Sequence, residues 1–304
     1  MNGQRIGFIG LGNMGGRMTR RLVGAGHRVL GFDPVAGRAA AAGADPAASV
    51  TEVADGSDCI LLSLPDSSVI EAVVRGDGGL LAAGRAGQVV VDLSTAAPSS
   101  TIALHAELAD RRIEFLDAGI SGGAAAAERG TLTIMVGGSA GALASVGWVL
   151  EPIAGKVVHM GAAGAGHATK VLNNFLNAVS LAATAEVMLA ARKAGLDLHR
   201  VLEVINASSG VNFATLSRFP HIIRGDYLEG GLTSALMTKD INLYVAYLAD
   251  LGVPSLQSAG PLAAFGLADS LGYRDQISNR VVDALGDLAG GLRLDETGSG
   301  QIGE

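Results

Sequence analysis

Three shortages limit what this chain can be. Its 304 residues include one cysteine, Cys59, so no disulfide can form within the chain. Cys59 lies in an apolar run, which is typical of a buried thiol and not of a nucleophile. Basic residues are also scarce, with 22 against 29 acidic ones. The net charge of −7 argues against a nucleic acid or an anionic membrane as partner.

Long apolar runs are the third shortage. No run approaches the roughly 18 residues that a membrane span needs, and no signal peptide precedes the first predicted strand. We therefore expect a cytoplasmic protein. The six histidines show no metal-ligand spacing, so we expect no metal site.

Segments of strand and helix character alternate through the first half of the chain. Strands are predicted at residues 4–9, 28–32, 59–64, 89–92 and 113–116, and helices at 14–25, 37–42, 69–74 and 98–111. Such alternation predicts a parallel sheet with helices on both faces. Further strands at 132–136 and 156–159, with a helix at 140–152 between them, extend this sheet, and one of them could form an antiparallel edge.

The pattern changes at a glycine- and alanine-rich stretch, residues 161–166, which is typical of a domain joint. Beyond it only helices are predicted, at residues 167–194, 199–207, 214–224, 237–251, 261–270 and 276–285. The first of these is apolar nearly all round, which indicates a central helix or a subunit interface. A polar, glycine-rich tail over 294–304 is expected to be disordered.

The glycine spacing near the N-terminus points to a dinucleotide. Gly10, Gly12 and Gly15 follow a predicted strand and open a predicted helix. In this context the first glycine makes the turn, the second admits a pyrophosphate, and the third lets helix and strand pack closely. The second strand ends in Asp33, and an acid at that place accepts hydrogen bonds from the adenosine ribose. The sequence therefore predicts a Rossmann nucleotide domain at 1–162, followed by an all-α domain at 163–293.

A polar stripe on the long helix is the candidate catalytic feature. Lys170, Asn174 and Asn177 are spaced i, i+4, i+7 and so share one helix face. Lysine is rare here, with three others at Lys156, Lys193 and Lys239. A lysine hydrogen-bonded to a carbinol oxygen serves as general acid or base during hydride transfer. A solvated stripe without chemistry is the alternative.

A second motif follows the strand predicted at 113–116. Residues 117–123 read DAGISGG, which we interpret as a loop at the end of a parallel strand. The Ser121 side chain and the amides of Gly122 and Gly123 suit an anionic group such as a carboxylate.

Five segments together resemble the β-hydroxyacid dehydrogenase family, which includes 3-hydroxyisobutyrate dehydrogenase and tartronate semialdehyde reductase. They are GFIGLGNMG (7–15), DAGISGG (117–123), GTLTIMVGG (130–138), GAGHATKVLNN (164–174) and KD (239–240), in the order that the family has them. The resemblance runs from Arg5 to about Leu285.

The resemblance implies a role for each matching residue. Lys170 is the catalytic lysine, and Asn174 positions the substrate beside it. Ser121, Gly122 and Gly123 bind the substrate carboxylate. Asn212, Phe213 and Arg218 lie in a segment where family members differ, and they are candidates for substrate selection. The implied cofactor contacts are Gly10, Leu11, Gly12, Asn13, Met14, Gly15, Asp33, Leu64, Pro65, Thr95 and Lys239.

Two departures from the family pattern bear on specificity. Gly119 stands where the family usually has proline, which predicts a looser substrate loop. Asp33 is followed by Pro34, and its carboxylate would repel a 2′-phosphate, so NAD is favoured, while Arg38 leaves NADP open.

The resulting expectation is an enzyme that transfers a hydride between NAD or NADP and a short 3-hydroxy acid or its semialdehyde. We expect a homodimer or homotetramer formed through the helical domain. The alternatives are a semialdehyde or imine reductase of the same superfamily, although imine reducers generally replace the lysine. The 6-phosphogluconate branch uses a longer C-terminal domain. A non-catalytic NAD-binding sensor would need neither Lys170 nor the anion loop.

Overall fold

The protein is described here from a computed structural model that covers residues 5–295. The chain divides into two compact units, and the division falls after Val171. Each unit has its own apolar core. The predicted tail at 294–304 lies mostly outside the described residues, but Leu294 is buried in the core of the second unit.

The first unit is built on one eight-stranded sheet with the order β3-β2-β1-β4-β5-β6-β7-β8. The strands are β1 (Ile6–Ile9), β2 (Val29–Phe32), β3 (Asp45–Pro46), β4 (Cys59–Leu62), β5 (Val89–Asp92), β6 (Glu114–Ser121), β7 (Leu132–Gly137) and β8 (Ala154–Gly161). All neighbours are parallel except β6 and β7, which are antiparallel. The order of the first six strands is that of a Rossmann sheet, as the sequence predicts.

Helices connect the strands of this sheet. They are α1 (Asn13–Gly24), α2 (Arg38–Ala41), α3 (Val50–Gly56), α4 (Ser67–Arg75), α5 (Leu80–Ala83), α6 (Pro98–Ala109), α7 (Gly123–Arg129) and α8 (Ala140–Leu150). The sequence-based prediction missed α3, α5 and α7, which have four to seven residues each. Pieces this short carry too little periodicity to be recognised.

The strands are apolar throughout because both faces of the sheet are covered. Along β4, Leu61 belongs to one apolar cluster, while Ile60 and Leu62 belong to another. Successive side chains of a strand point to opposite faces, so these clusters are the two sides of the sheet. Cys59 is buried in the first cluster, and burial raises the pKa of its thiol to about 12. The thiol is therefore an apolar packing group, as predicted.

A single helix, α9 (Ala165–Lys193), begins in the first unit and continues in the second. By length and composition α9 is apolar enough to cross a membrane, and 56% of its most apolar window is buried inside the protein. The helix is interrupted by the polar residues Asn173, Asn174, Asn177, Ser180, Thr184 and Glu186, and a buried central helix satisfies the same length and hydropathy criteria.

The rest of the second unit is helical. Its helices are α10 (Leu198–Asn206), α11 (Phe213–Ser217), α12 (Phe219–Ile222), α13 (Ser234–Asp250), α14 (Ala259–Ala268) and α15 (Val281–Leu288), with short 3₁₀ or π turns at Leu256–Ser258, Asp269–Tyr273 and Ser278–Arg280. The single helix predicted at 214–224 is instead two. Pro220 lacks an N–H and is tolerated only in the first turn of a helix, which explains why α12 begins anew at Phe219.

Candidate active site

The glycines that follow β1 have the roles that their spacing predicts. Gly10 has a φ of +90°, and a Cβ there would lie 2.3 Å from the carbonyl oxygen of Ser63. A Cβ on Gly15 would lie 1.9 Å from the carbonyl oxygen of Gly10. Both positions therefore exclude any side chain, and the turn from β1 into α1 depends on them.

Gly12 differs from its two neighbours because it faces open space. The nearest atom to a Cβ built on Gly12 is Nη1 of Arg38, at 3.8 Å. Gly12 is also the N-cap of α1, and no side chain caps that helix end. Unpaired N–H groups and the helix dipole favour a phosphate at such an end. The loop therefore fits a pyrophosphate, with Asn13 exposed at its rim, and with Leu11 and Met14 anchoring it in the core.

Asp33 directly follows β2, and its side chain hydrogen-bonds the backbone of the glycine loop. Its carboxylate accepts hydrogen bonds from the backbone N–H of Leu11 at 2.8 Å and of Val35 at 2.9 Å. The guanidinium of Arg38 lies 3.2 Å from the same carboxylate. Asp33 is thus an organiser of the glycine loop, and Arg38 partly neutralises its charge.

The other predicted cofactor residues of this unit lie at the same sheet edge. Leu64 and Pro65 follow β4, and Thr95 follows β5, so all three lie beyond the carboxyl ends of parallel strands. Leu64 donates its backbone N–H to Oγ of Ser94 at 2.9 Å, which ties the two strand ends together. Ligands of open α/β sheets bind at this edge.

The predicted substrate loop is in large part a strand. β6 continues to Ser121, and its last five residues pair with β7 in antiparallel register. The interpretation of residues 117–123 as a loop was therefore wrong. An antiparallel partner extends β6 beyond the point where its pairing with β5 ends at Asp117. Tertiary pairing of this kind leaves no local signal in the sequence.

The end of β6 still presents the three predicted anion contacts together. Ser121 is the last strand residue, and Gly122 and Gly123 are exposed at the start of α7. Both glycines have positive φ, at +123° and +68°. A Cβ on Gly123 would meet nothing within 4 Å, so an anion has room beside its amide.

Lys170 lies against the backbone of β6. A Cβ built on Gly119 would be 2.5 Å from Cβ of Lys170 and 3.0 Å from its Cγ. The expectation that Gly119 loosens the substrate loop, because it replaces the usual proline, was therefore wrong. Gly119 sits in the strand and allows the stem of Lys170 to lie directly on it. Ser121 is two residues further along the same strand, so the lysine and the anion contacts share one strand end.

Asp117 fixes the helix that carries Lys170. This buried carboxylate accepts hydrogen bonds from the backbone N–H of Gly164 and of His167, each at 2.8 Å. Gly166 lies between them, and a Cβ there would come within 2.4 Å of the carbonyl oxygens of Asp117 and Met135. The first turn of α9 is therefore both capped by a charge and pressed against the sheet.

His167 completes a buried polar cluster at this helix start. Its Nδ1 lies 2.7 Å from Oγ1 of Thr101, and its Nε2 lies 3.3 Å from the carbonyl oxygen of Asp92. Burial raises the pKa of the Asp92 carboxyl, although the nearby His167 opposes this. His167 is therefore a packing and orienting group of the joint.

In the second unit, a buried carboxylate organises the predicted amide. Nδ2 of Asn174 donates to Oδ2 of Asp240 at 2.5 Å, and Nζ of Lys239 lies 3.2 Å from Oδ1 of the same residue. Asp240 on α13 thus connects the predicted substrate amide with the predicted cofactor lysine. Lys239 also lines a cavity of about 440 Å³ on this unit.

The three predicted candidates for substrate selection have different surroundings. Asn212 caps α11, and its Oδ1 accepts from the backbone N–H of Ala214 at 2.9 Å and of Thr215 at 3.1 Å. Its side chain is thus committed to the helix start. Phe213 is 58% exposed and lies beneath the guanidinium of Arg218, 5.7 Å from the ring centre.

Sequence reasoning passed over Asp117 and Asp240 as functional residues. Each was quoted within a motif without a role of its own. A signal was available in the sequence. Asp117 directly follows an apolar segment and Asp240 directly follows the rare Lys239, and an acid that is buried in such a place needs a polar partner. The sequence does not say which partner, since both contacts join segments at least 47 residues apart.

Comparison with known families covers nearly the whole chain. Residues 5–161 match a family model described as the NAD binding domain of 6-phosphogluconate dehydrogenase. Residues 164–284 match one described as NAD-binding of NADP-dependent 3-hydroxyisobutyrate dehydrogenase.

Individual relatives agree with this assignment. The 2-(hydroxymethyl)glutarate dehydrogenase of Eubacterium barkeri is 37% identical over 276 residues, which are 89% of this chain and 92% of that protein. The NAD-dependent L-serine dehydrogenase of Pseudomonas aeruginosa is 38% identical over 79% of this chain and 84% of its own length. The solved 3-hydroxyisobutyrate dehydrogenase of Mycobacterium tuberculosis with L-serine has a TM-score of 0.83 at 32% identity, covering 93% of this chain and 99% of that one.

Proposed function

The chain belongs to the β-hydroxyacid dehydrogenase family of NAD(P)-dependent oxidoreductases, and we propose that it acts on a short 3-hydroxy acid through Lys170. The observation that carries this proposal is the placement of Lys170 on β6 at Gly119, two strand residues before Ser121. Strand β6 therefore contacts the proposed proton-transfer group, Lys170, and ends at the proposed anion-binding residue, Ser121. This arrangement suits an acid whose hydroxyl lies a fixed distance from its carboxylate.

The proposed mechanism assigns one task to each residue. Ser121 and the amides of Gly122 and Gly123 hold the carboxylate and so orient the substrate. Nζ of Lys170 hydrogen-bonds the reacting oxygen, accepts its proton during oxidation and returns it during reduction. Asn174, held by Asp240, aligns the substrate without adding charge. The nicotinamide, when bound, supplies the hydride acceptor or donor.

The test measures the turnover of a panel of substrates, with NAD and with NADP, by the change in nicotinamide absorbance. The panel contains 3-hydroxyisobutyrate, 2-(hydroxymethyl)glutarate and L-serine, because relatives are named for these acids. The matching 2-hydroxy isomers serve as controls. We expect turnover of 3-hydroxy acids only. Activity confined to the 2-hydroxy isomers, or silence across the panel with NADH bound, would refute the proposal.

Neutralising Asp33 is expected to shift cofactor preference toward NADP. A carboxylate beside a 2′-phosphate is a like-charge contact that costs several kcal/mol. In Asp33→Asn the charge is gone, one oxygen remains to accept the Leu11 N–H, and Arg38 loses its carboxylate partner. The ratio of kcat/KM for NADP over NAD should rise by about 10- to 100-fold.

The matched control for this variant is Asp45→Asn. Asp45 lies on the neighbouring strand β3, and its carboxylate pairs with Arg28 at 2.9 Å. This variant makes the same change of charge at the surface, and it should leave the ratio of kcat/KM for NADP over NAD unaltered. An unchanged ratio in Asp33→Asn would show that Asp33 serves only to shape the loop.

Adding one methyl group at Gly119 is expected to displace Lys170. The new Cβ would lie 2.5 Å from Cβ of Lys170, so the helix or the strand must move. A shift of about 1 Å at a catalytic group costs about 100-fold in rate. We expect Gly119→Ala to lower kcat/KM by about 10- to 100-fold. Gly147→Ala is the control, because a Cβ there meets nothing within 4 Å. Full activity of Gly119→Ala would contradict the placement of Lys170.

We also propose that the protein is a homodimer or homotetramer that associates through its helical unit. Leu172, Leu176 and Val187 form an exposed apolar stripe on α9, with Leu176 65% exposed. Such stripes are typical of protein interfaces. Leu176→Glu should lower the mass measured by light scattering to that of a monomer. Leu256→Glu, at a site 81% exposed elsewhere on the unit, should not. A wild-type monomer would refute this proposal.

A further inference from the structure

Strand β7 lies in a segment to which the proposed mechanism gives no task. This segment is GTLTIMVGG at 130–138, one of the five that resemble the family. The antiparallel register of β6 and β7 places Thr133 directly opposite Ser121. Thr133 is therefore the neighbour, within the sheet, of the proposed carboxylate-binding residue.

Thr133 and Ser121 point to the same face of the sheet. Residues that are directly opposite on neighbouring strands lie side by side on one face. The pair Asp117 and Gly137 of the same ladder shows this, because a Cβ on Gly137 would lie 2.5 Å from Oδ1 of Asp117. Asp117 accepts hydrogen bonds from the start of α9, so this is the face against which α9 begins.

Lys170 lies on that face as well. Gly119 is two residues from both Asp117 and Ser121, and every second residue of a strand points to the same side. A Cβ on Gly119 would lie 2.5 Å from Cβ of Lys170, so the stem of the lysine lies directly on this face. Thr133 therefore shares one sheet face with the proposed proton-transfer group.

The next strand adds a cation to this row. In the parallel register of β7 and β8, Thr133 pairs with Lys156. Ser121, Thr133 and Lys156 thus form one row across three neighbouring strands, about 10 Å long between its end Cα atoms. Lys156 is exposed and has no ion-pair partner among residues 5–295. Its flexible four-carbon stem allows the ammonium to reach back across Thr133 toward Ser121. All three residues belong to the first unit.

The proposed carboxylate site has only neutral donors. Ser121 supplies a hydroxyl, and the two glycines that follow it supply backbone amides. Lys170 is assigned to the reacting oxygen. A carboxylate that also meets an ammonium forms charge-assisted hydrogen bonds, which are stronger than neutral ones. The row offers such an ammonium on Lys156, and a second hydroxyl on Thr133.

We propose that Thr133 and Lys156 complete the carboxylate site that begins at Ser121. Thr133 donates its hydroxyl to the substrate carboxylate, and the ammonium of Lys156 balances the negative charge. This inference rests on the proposed function and adds two binding residues to its substrate site. The alternative role of Lys156 is protection of the sheet, since β8 is an edge strand and an edge lysine discourages pairing with another chain. That role predicts no effect on substrate binding.

Lys156→Met removes the ammonium and keeps an unbranched stem. With the panel acid that has the highest kcat/KM, and at saturating cofactor, KM should rise about three- to tenfold while kcat stays within about twofold of the wild type. The wild-type KM should also rise between about 0.02 M and about 0.5 M NaCl, because salt screens an exposed charge, and this rise should be smaller in the variant. Arg111→Gln is the matched control. It removes one positive charge at an exposed site just before β6, at the opposite end of that strand from Ser121, and should keep the wild-type KM.

Thr133→Val replaces the hydroxyl by a methyl group. KM should rise about two- to tenfold, and Thr133→Ser, which keeps a hydroxyl, should stay within about twofold of the wild type. A packing role alone predicts the opposite order, because valine fills the volume of threonine and serine leaves a cavity.

A neutral analogue separates recognition of charge from a general change of the site. The amide of 3-hydroxyisobutyrate carries no charge, so its inhibition constant should be the same in the wild type and in Lys156→Met. Calorimetric binding of the acid and of the amide to the protein with NADH makes the same comparison without turnover. If no panel member reacts, the proposed function fails, and the binding measurement still tests Lys156 and Thr133.

Three results would overturn the inference. The first is a Lys156→Met variant that binds the acid as well as the wild type does at low salt. The second is an equal loss in Arg111→Gln. Either result would leave Lys156 with the protection of the sheet edge alone. The third is a Thr133→Val variant that binds the acid better than Thr133→Ser does, which would leave Thr133 with a packing role.

Discussion

Replacing Lys170 by alanine is expected to lower kcat by about 10²- to 10⁴-fold. The substitution removes the group that moves the proton at the reacting oxygen, so the hydride step loses its acid or base. The glycine loop and Asp33 are untouched, and the affinity for NADH, measured by its fluorescence, should stay near that of the wild type. Loss of turnover with cofactor binding intact would locate the defect at the chemical step.

Two further lysine variants make this result specific. Lys193→Ala removes another of the four lysines, at the exposed far end of α9, and should retain full activity. Lys170→Arg keeps a cation but replaces a compact ammonium by a group that does not give up its proton, so turnover should remain low. Wild-type turnover in Lys170→Ala would end the proposed mechanism.

Asp117→Ala should have the largest effect on folding among the substitutions considered. It leaves the N–H groups of Gly164 and His167 without their acceptor inside the protein. Each buried donor left unpaired costs about 1–3 kcal/mol, so the free energy of unfolding should fall by about 3 kcal/mol. Because these amides belong to the start of α9, kcat should fall as well. Urea denaturation and the standard assay measure the two effects separately.

Asp92→Asn is the control, because Asp92 is also a buried acid beside His167, with its Oδ2 3.9 Å from Nε2 of that residue, but its recorded backbone hydrogen bond is to Ser94 and not to the start of α9. Its Oδ1 accepts from Ser94 N–H at 3.1 Å, whereas Oδ2 has no hydrogen-bond partner among residues 5–295. Burial raises the pKa of Asp92 above its ordinary value of 3.8, so its ionisation opposes folding as the pH rises past that value. Asparagine keeps the hydrogen bond from Ser94 and has no carboxyl group to ionise, so the variant does not lose stability in this way as the pH rises.

At about pH 8 the stability of Asp92→Asn should therefore lie within about 1 kcal/mol of the wild type or above it. Near pH 4 the free energy of unfolding of the variant should gain less over that of the wild type, because the Asp92 carboxyl is then protonated in the folded wild type. If Asp117→Ala were as stable as Asp92→Asn, the capping role of Asp117 would be refuted.

Local patterns in the sequence were sufficient to predict the nucleotide-binding half. The run before Gly10, the spacing to Gly15 and the acid at Asp33 are all set within one βαβ unit, where neighbours in sequence are neighbours in space. The same alternation predicted a sheet of parallel strands with helices on both faces. The short helices α3, α5 and α7 were missed because they are stabilised by packing and not by their own periodicity.

The stripe on α9 was equally readable, because i, i+4, i+7 spacing is a property of one helix. What surrounds that stripe was not. Three contacts join distant segments: the pairing that extends β6 to Ser121, the capping of α9 by Asp117, and the hydrogen bond from Asn174 to Asp240. The sequence by itself thus determined the family and the glycine loop after β1, and it singled out Lys170 as the candidate catalytic residue. Only the tertiary structure decided how that lysine is held, since this depends on contacts between segments that no local pattern encodes.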